Sequence, residues 1–102
     1  MKTDVEEITI TKKETKEETS TDTGKKFILV LHNDDFNSFM HVIQSLNEVC
    51  DITEPDAEEI AMRVHTKGKS DVLYGSKSKL EPMKMQLVLR GLISDIESED
   101  NR

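Results

Sequence analysis

At 102 residues, with 34% hydrophobic and 4% aromatic content, the chain can bury one modest core and is expected to form a single small domain. Its formal net charge of -7 argues against nucleic acid and anionic membranes as partners, because both attract clusters of Lys and Arg. No apolar run approaches the roughly 18 residues of a membrane helix, and the N-terminal residues lack the pattern of a signal peptide, so we expect a cytoplasmic protein.

The N-terminal segment, residues 1–24, is predicted to be a disordered tail. Thr, Glu and Lys dominate it, and its aliphatic residues, Val5, Ile8 and Ile10, are too few to join a core. Such a tail either only solvates the protein or serves as an arm that a partner can grip. The folded domain is expected to cover residues 25–97, with a second disordered segment at 98–102.

The first predicted elements are a strand and a helix. The apolar run from Phe27 to Leu31 is typical of a buried strand. After a polar turn, apolar residues recur at intervals of three and four, which predicts a helix that starts at an Asn37 or Ser38 cap and ends near Cys50. The apolar positions of this helix are Phe39, Val42, Ile43, Leu46 and Val49.

A second helix is predicted between Thr53, as its N-cap, and Gly68, just beyond its end. Pro55 and several acidic residues occupy its first turns, where proline and negative charge are favoured. Its buried stripe consists of Ala57, Ile60, Ala61 and Val64.

The remaining elements are predicted to be a short strand, a helix and a last strand. Residues 72–74 suit the strand, and a capping box of Ser78 and Glu81, with Pro82 in the first turn, suits a helix that ends near Arg90. Gly91 either lies inside this helix or caps it; we favour the cap, with a last strand over residues 92–96. The β-α-α-β-α-β order predicts an α+β fold, in which a small three-stranded sheet carries the helices on one face.

Polar side chains cluster at two places beside this core. The turn between the first strand and the first helix contains Asn33, Asp34 and Asp35, and His65 lies near the end of the second helix. These groups meet if the two helices pack as an antiparallel pair. Simpler roles remain open, because the turn residues can cap the helix and the histidine can complement the negative end of a helix.

An apolar wall is expected beside these polar groups. It would consist of Phe39, Val42, Ala61 and Val64. Hydrogen-bond acceptors around an apolar hole are what a primary ammonium attached to a hydrophobic side chain requires. The spacing is compatible with a site for a free amino terminus but does not establish one.

The residues of this region resemble a known family. "FILVLHNDDFNSFMHVI" followed by "VHTKGK" is similar to ClpS, the bacterial adaptor of the Clp protease, and the resemblance spans residues 25–96. The combination of both motifs is far more specific than either alone. The resemblance implies a non-catalytic adaptor that binds proteins bearing a destabilising N-terminal residue, an N-degron. It implies delivery to the N-terminal domain of an AAA+ Clp unfoldase, and we expect a monomer without cofactor or metal.

The family's site residues transfer onto named positions of this chain. By resemblance, Asn33, Asp34 and His65 bind the substrate's α-amino group and first peptide unit. Asp35 helps to hold the rim of the site and the first peptide bond. The hydrophobic pocket transfers onto Phe39, Val42, Ala61 and Val64.

Some positions depart from the family pattern. Ser38 and Phe39 replace the usual Pro and Met, and Ala61 stands where a large residue, commonly Met, is usual. The usual preference for Phe, Tyr, Trp and Leu is therefore open in this chain. The third helix is also shortened, and Glu81 and Lys84 are the implied contacts with the unfoldase.

Three other functions are left open by the residues. A metal site could use His32, Asp34, Asp35 and His65. A Cys-His enzyme could pair Cys50 with His65, although Cys50 lies at the far end of the first helix and also suits a small core residue. A protein-interaction domain of the same fold, indifferent to a free amino terminus, is the main alternative.

Overall fold

A computed structural model describes residues 26–101 of the chain. Its order confirms the predicted β-α-α-β-α-β arrangement, with a short 3-10 helix added at the end. The elements are β1 (Phe27–His32), α1 (Phe39–Cys50), α2 (Glu54–Lys67), β2 (Lys69–Gly75), α3 (Lys77–Leu89), β3 (Ile93–Ser98) and the 3-10 helix Glu99–Asn101.

The sheet is antiparallel and has β1 at its centre, in the order β2-β1-β3. Leu29 of β1 lies opposite Leu73 on one side and Ile96 on the other, so these three side chains share one face of the sheet. The register shifts after Leu29, because the next pair is Val30 with Asp71 and one residue of β2 is left over as a bulge.

The helices pack on one face of this sheet, as predicted. Leu29 and Leu31 of β1 belong to a single buried cluster that also contains residues of all three helices. The helical members are Ile43, Leu46, Cys50, Ala57, Ile60, Ala61, Val64, Leu80 and Leu87. Burial of this cluster supplies the main stabilisation of the domain, since each fully buried aliphatic side chain contributes about 1.5–3 kcal/mol.

Local capping explains where α1 and α2 begin and where α2 ends. The Ser38 hydroxyl accepts a hydrogen bond from the His41 backbone N–H at 3.0 Å, so Ser38 rather than Asn37 is the cap of α1. Thr53 holds the N-cap position of α2 without a side-chain hydrogen bond. Gly68 ends α2 at φ 91°, in the left-handed region that glycine adopts most easily.

The start of α3 differs from the prediction. The helix begins one residue before Ser78 and is capped by Ser76, whose hydroxyl accepts from the Lys79 backbone N–H at 3.2 Å. Two serines stand two residues apart, and the earlier one takes the cap, which leaves Pro82 inside the helix rather than in its first turn. Gly91 follows the end of α3 at φ 87°, which confirms the cap interpretation.

The two edge strands are longer than predicted. β2 begins at Lys69 because that residue already pairs with His32 of β1. β3 ends at Ser98, and Glu99–Asn101 form a 3-10 helix where a disordered segment was expected. The Glu99 backbone N–H donates to the Lys26 carbonyl at 3.0 Å, and this bond ties the end of β3 to the start of β1.

The predicted N-terminal tail lies outside the described residues, as does residue 102. Within residues 26–101, no helix combines the length and the apolar character that crossing a membrane requires.

Candidate functional site

The end of α2 is held against the polar turn that follows β1. The Asn33 backbone N–H donates to the Gly68 carbonyl at 2.9 Å. Gly68 ends α2 and leads directly into β2, whose first residue, Lys69, pairs with His32 at the end of β1. The last turn of α2 therefore lies beside the residues that follow β1. His65 belongs to that last turn, which explains how residues about thirty positions apart in the sequence share one site.

A cavity of about 420 Å³ opens between the polar turn, α1 and α2. Its volume is within the range of roughly 300–1,000 Å³ that is usual for ligand pockets. The cavity brings together every residue predicted for the α-amino site and for the apolar wall, and it adds Asn37. The lining consists of Asn33, Asp34, Asp35, Asn37, Phe39, Val42, Ala61, Val64 and His65.

The cavity has a buried apolar side and an exposed polar side. Ala61 and Val64 are buried and belong to the core cluster, while Phe39 is 37% exposed. Asn33, Asp35 and His65 are exposed. A ligand with an apolar group and an adjacent polar head can therefore place the former against the core and the latter against groups that remain in contact with water.

Asp34 is the most constrained polar group of the site. Its Oδ1 accepts from the backbone N–H groups of Phe36 and Asn37, both at 2.8 Å, and its Oδ2 accepts from Asn37 Nδ2 at 3.0 Å. Burial raises the pKa of this carboxyl, but the Asn37 side chain, the two backbone donors and nearby His41 outweigh it and leave the pKa below its ordinary value. An ionised carboxylate offers about four acceptor sites, so room for another donor remains.

Asn37 is the lining residue that sequence analysis considered only as a helix cap. An aspartate followed three residues later by an asparagine, just before a helix, is a recognisable signal for a side-chain turn of this kind. The second hydrogen bond of the Asn37 amide, to the Gly91 carbonyl, joins residues 54 positions apart and has no local sequence signature.

The metal hypothesis is not supported by the placement of His32. This side chain lies with its Nε2 3.0 Å from Asp95 Oδ2 of β3, and it does not line the cavity with His65. Among the residues that the structure describes, no group of three or more His, Cys, Asp and Glu side chains is placed to hold a metal ion.

Cys50 lies outside the cavity, within the core cluster. Burial raises the pKa of its thiol to about 11, so the thiol stays protonated at neutral pH and is a poor nucleophile. The Cys-His hypothesis therefore lacks both a shared location with His65 and an activated thiol.

The buried thiol predicts a pH dependence of stability. Because the folded-state pKa is raised from an ordinary value of 9.0 to about 11, the contribution of Cys50 is present below pH 9 and is lost as pH rises towards 11. We expect Cys50→Ala to be less stable at neutral pH but to lose less free energy of unfolding across this interval than wild type does. Denaturant unfolding of both proteins at matched pH values measures this, and parallel profiles would contradict it.

The two predicted contacts with the unfoldase lie on α3, away from the cavity. Glu81 and Lys84 are three residues apart, so they project from the same side of the helix. Neither residue lines the cavity.

Comparison with known proteins decides the family. A family model described as the ATP-dependent Clp protease adaptor protein ClpS matches residues 22–91. The chain belongs to the ClpS family. A curated ClpS adapter of the ATP-dependent Clp protease, from Synechococcus elongatus, is 37% identical over 76 residues, which cover 74% of this chain and 80% of the relative.

A solved ClpS structure confirms the fold. The structure of Agrobacterium tumefaciens ClpS2 bound to L-phenylalaninamide matches with a TM-score of 0.69 at 23% identity. The match covers 74% of this chain and 98% of that protein. Membership in the ClpS family assigns this chain to the adaptors of the Clp protease.

Proposed function

We propose that this protein is a non-catalytic adaptor that binds substrate proteins through a destabilising N-terminal residue and delivers them to an AAA+ Clp unfoldase. The observation that carries the proposal is the composition of the cavity, in which an ionised carboxylate stands beside a buried apolar wall. An N-terminal residue presents the complementary pair, a free ammonium and a side chain on the same carbon atom.

The polar side of the cavity fits an ammonium group. Three N–H donors need acceptors, and Asp34 offers a charged one while the Asn33 side-chain oxygen and a neutral His65 nitrogen offer neutral ones. Asp35 is proposed to hold the rim and the first peptide unit. A charge-assisted hydrogen bond is stronger than a neutral one, so the charged acceptor is expected to dominate recognition of the amino group.

The apolar side of the cavity fits the first side chain of the substrate. Ala61 and Val64 present buried aliphatic surface, and Val42 and the partly exposed Phe39 extend it towards solvent. Burying a large apolar side chain there is favourable by about 25 cal/mol for each Å² removed from water. A substrate with an acidic or very small first residue gains little of this energy.

Binding to peptides that differ only in the first residue tests the proposal. We expect peptides that begin with Leu or Phe to bind more tightly than otherwise identical peptides that begin with Glu or Ser, as measured by fluorescence anisotropy. Equal affinities across the series would favour the alternative, a protein-interaction domain of the same fold without an N-degron pocket.

The proposed delivery step uses a second surface and takes place in the cytoplasm. Glu81 and Lys84 on α3 are the proposed contacts with the N-terminal domain of the unfoldase, and their separation from the cavity lets a monomeric adaptor hold substrate and unfoldase together. No bond is made or broken by the adaptor in this scheme. Delivery and substrate binding should therefore be separable by mutation.

Removal of residues 1–24 is expected to leave the melting temperature and the peptide affinity nearly unchanged, while degradation of an N-degron reporter by the reconstituted unfoldase and protease slows. The reason is that the predicted tail has too few apolar residues to join the core but is long enough to be gripped by a partner. A variant with a scrambled tail of the same composition is the matched control. Full delivery by the truncated protein would limit the tail to a solubility role.

A further inference from the structure

The amide of Asn37 bridges the proposed amino-group site and the turn that follows α3. Its Nδ2 donates to Asp34 Oδ2 at 3.0 Å and to the Gly91 carbonyl at 2.9 Å. Both partners are acceptors, so the nitrogen of the amide and not its oxygen must face them. The two N–H groups of the amide match these two acceptors one to one.

The Gly91 end of the bridge is itself fixed. Gly91 adopts φ 87°, and the Leu92 backbone N–H, which shares a peptide unit with the Gly91 carbonyl, donates to the Leu87 carbonyl at 3.0 Å and so orients that unit. The neighbouring Arg90 carbonyl accepts from His41 Nε2 of α1 at 2.9 Å. The bridge therefore connects the polar turn to a turn held by α3 and α1, and not to a loose loop.

The two oxygens of Asp34 are held in different ways. Oδ1 is held by the backbone N–H groups of Phe36 and Asn37, which a substitution of the Asn37 side chain does not remove. Oδ2 is held by the Asn37 amide. Loss of that amide is thus expected to leave the turn in place but to allow the carboxylate group to rotate about its Cβ–Cγ bond.

We propose that Asn37 is a positioning residue that fixes the Asp34 carboxylate for the substrate's ammonium by bridging it to the Gly91 carbonyl. This inference rests on the proposed function, since it assigns Asn37 a part in recognising the amino group. The bridge is present in the free protein, so its effect on Asp34 can be measured without substrate.

The charge state of Asp34 reports on the bridge. Burial raises the pKa of Asp34, and the Asn37 side-chain amide is the first of the groups that lower it again. Removing the amide should therefore raise the pKa of Asp34. Because the ionised form is the one that accepts an ammonium, peptide binding should also fail at a higher pH in the variant as the solution is acidified.

The test uses Asn37→Ala and Asn37→Asp in the full chain. We expect Asn37→Ala to raise the Asp34 pKa, followed by NMR of its carboxyl carbon, and to weaken binding of a peptide that begins with Leu by about five- to tenfold. Asn37→Asp replaces the donor by an acceptor that faces Asp34, so its loss should be larger. If one of the two variants does not fold, the other still provides the measurement.

Asn47→Ala is the matched control. Asn47 lies near the other end of α1, and its amide donates to the Ile52 carbonyl at 2.8 Å, so this variant also loses a bond from a side-chain amide to a backbone carbonyl. It does not line the cavity, and we expect it to leave both the Asp34 pKa and the peptide affinity unchanged.

The possible results are distinct. Weaker binding with an unchanged Asp34 pKa, or unchanged values of both, would overturn the positioning role. A raised Asp34 pKa in Asn37→Ala, in a protein whose wild type binds no N-degron peptide, would retain the bridge and reject the proposed function. A raised pKa together with weaker binding, absent from the Asn47→Ala control, supports the proposal.

Discussion

Replacing Asp34 by Asn is expected to weaken binding of N-degron peptides by about 1.5–3 kcal/mol, or roughly ten- to hundredfold. The substitution removes the charged acceptor offered to the ammonium. It retains an oxygen at Oδ1 for the backbone N–H groups of Phe36 and Asn37, which preserves the turn that an alanine would lose. Titration of a fluorescent peptide beginning with Leu against wild type and variant provides the measurement.

The matched control for this prediction is Asp56→Asn. Asp56 is an exposed aspartate in the first turn of α2, outside the cavity, so its substitution removes the same charge without touching the site. We expect wild-type affinity and melting temperature from the control, and a lower melting temperature for Asp34→Asn, whose Nδ2 would face the Nδ2 donor of Asn37. If Asp34→Asn bound as tightly as the control, the carboxylate would have no part in recognition.

Ala61→Met is expected to narrow the set of first residues that the cavity accepts. The small side chain of Ala61 lies in the apolar wall beside Val64, and a Met there would occupy part of the space that the first side chain of a substrate needs. One methylene in an apolar pocket changes affinity by about 1–3 kcal/mol, so the change is large enough to alter preference. Affinity for Trp, Ile and Val should fall more than affinity for Leu.

Titration of peptides beginning with Leu, Phe, Trp, Ile and Val against both proteins measures this change in preference. Ala61 is only 3% exposed, so the melting temperature must be followed as well, because a Met that enters the core instead of the cavity costs about 1–3 kcal/mol of stability. Glu58→Met, at an exposed position of the same helix, is the control for adding a methionine. Equal losses for all five peptides would mean that Ala61 does not form the wall that selects the side chain.

Local patterns were sufficient to predict the order of the elements. Apolar spacing identified α1 and α2, and Gly68 and Gly91 both take the left-handed conformation that ends a helix, as their positions suggested. The fold class followed from this order, and all three helices contribute to one buried cluster with Leu29 and Leu31 of the central strand. These features depend on residues that are close together in the sequence.

The features that sequence analysis missed depend on tertiary contacts. Lys69 is polar and exposed, and only its pairing with His32 makes it the first residue of β2. The Glu99–Asn101 helix follows a strand end held by Lys26, at the other end of the chain's folded region. The bridge from Asn37 to Gly91 is likewise invisible in either segment alone, because it exists only after α1 and α3 have packed.

The candidate site was predictable in its members but not in its internal bonding. The resemblance to ClpS identified eight of the residues that line the cavity, from Asn33 to His65. It did not indicate that three hydrogen bonds already hold Asp34 in the free protein. In the proposed function, that constraint orients the carboxylate before a substrate arrives and reduces the entropy lost on binding.

Acetylation of the peptide's amino terminus tests the central claim most directly. It removes the charge and two of the three donors of the ammonium while leaving the first side chain intact, so it separates recognition of a free amino terminus from general apolar binding. We predict that a peptide beginning with Leu or Phe binds in anisotropy titrations and that its N-acetylated form does not bind measurably at the same protein concentrations. Equal affinity of the free and acetylated peptides would contradict the account.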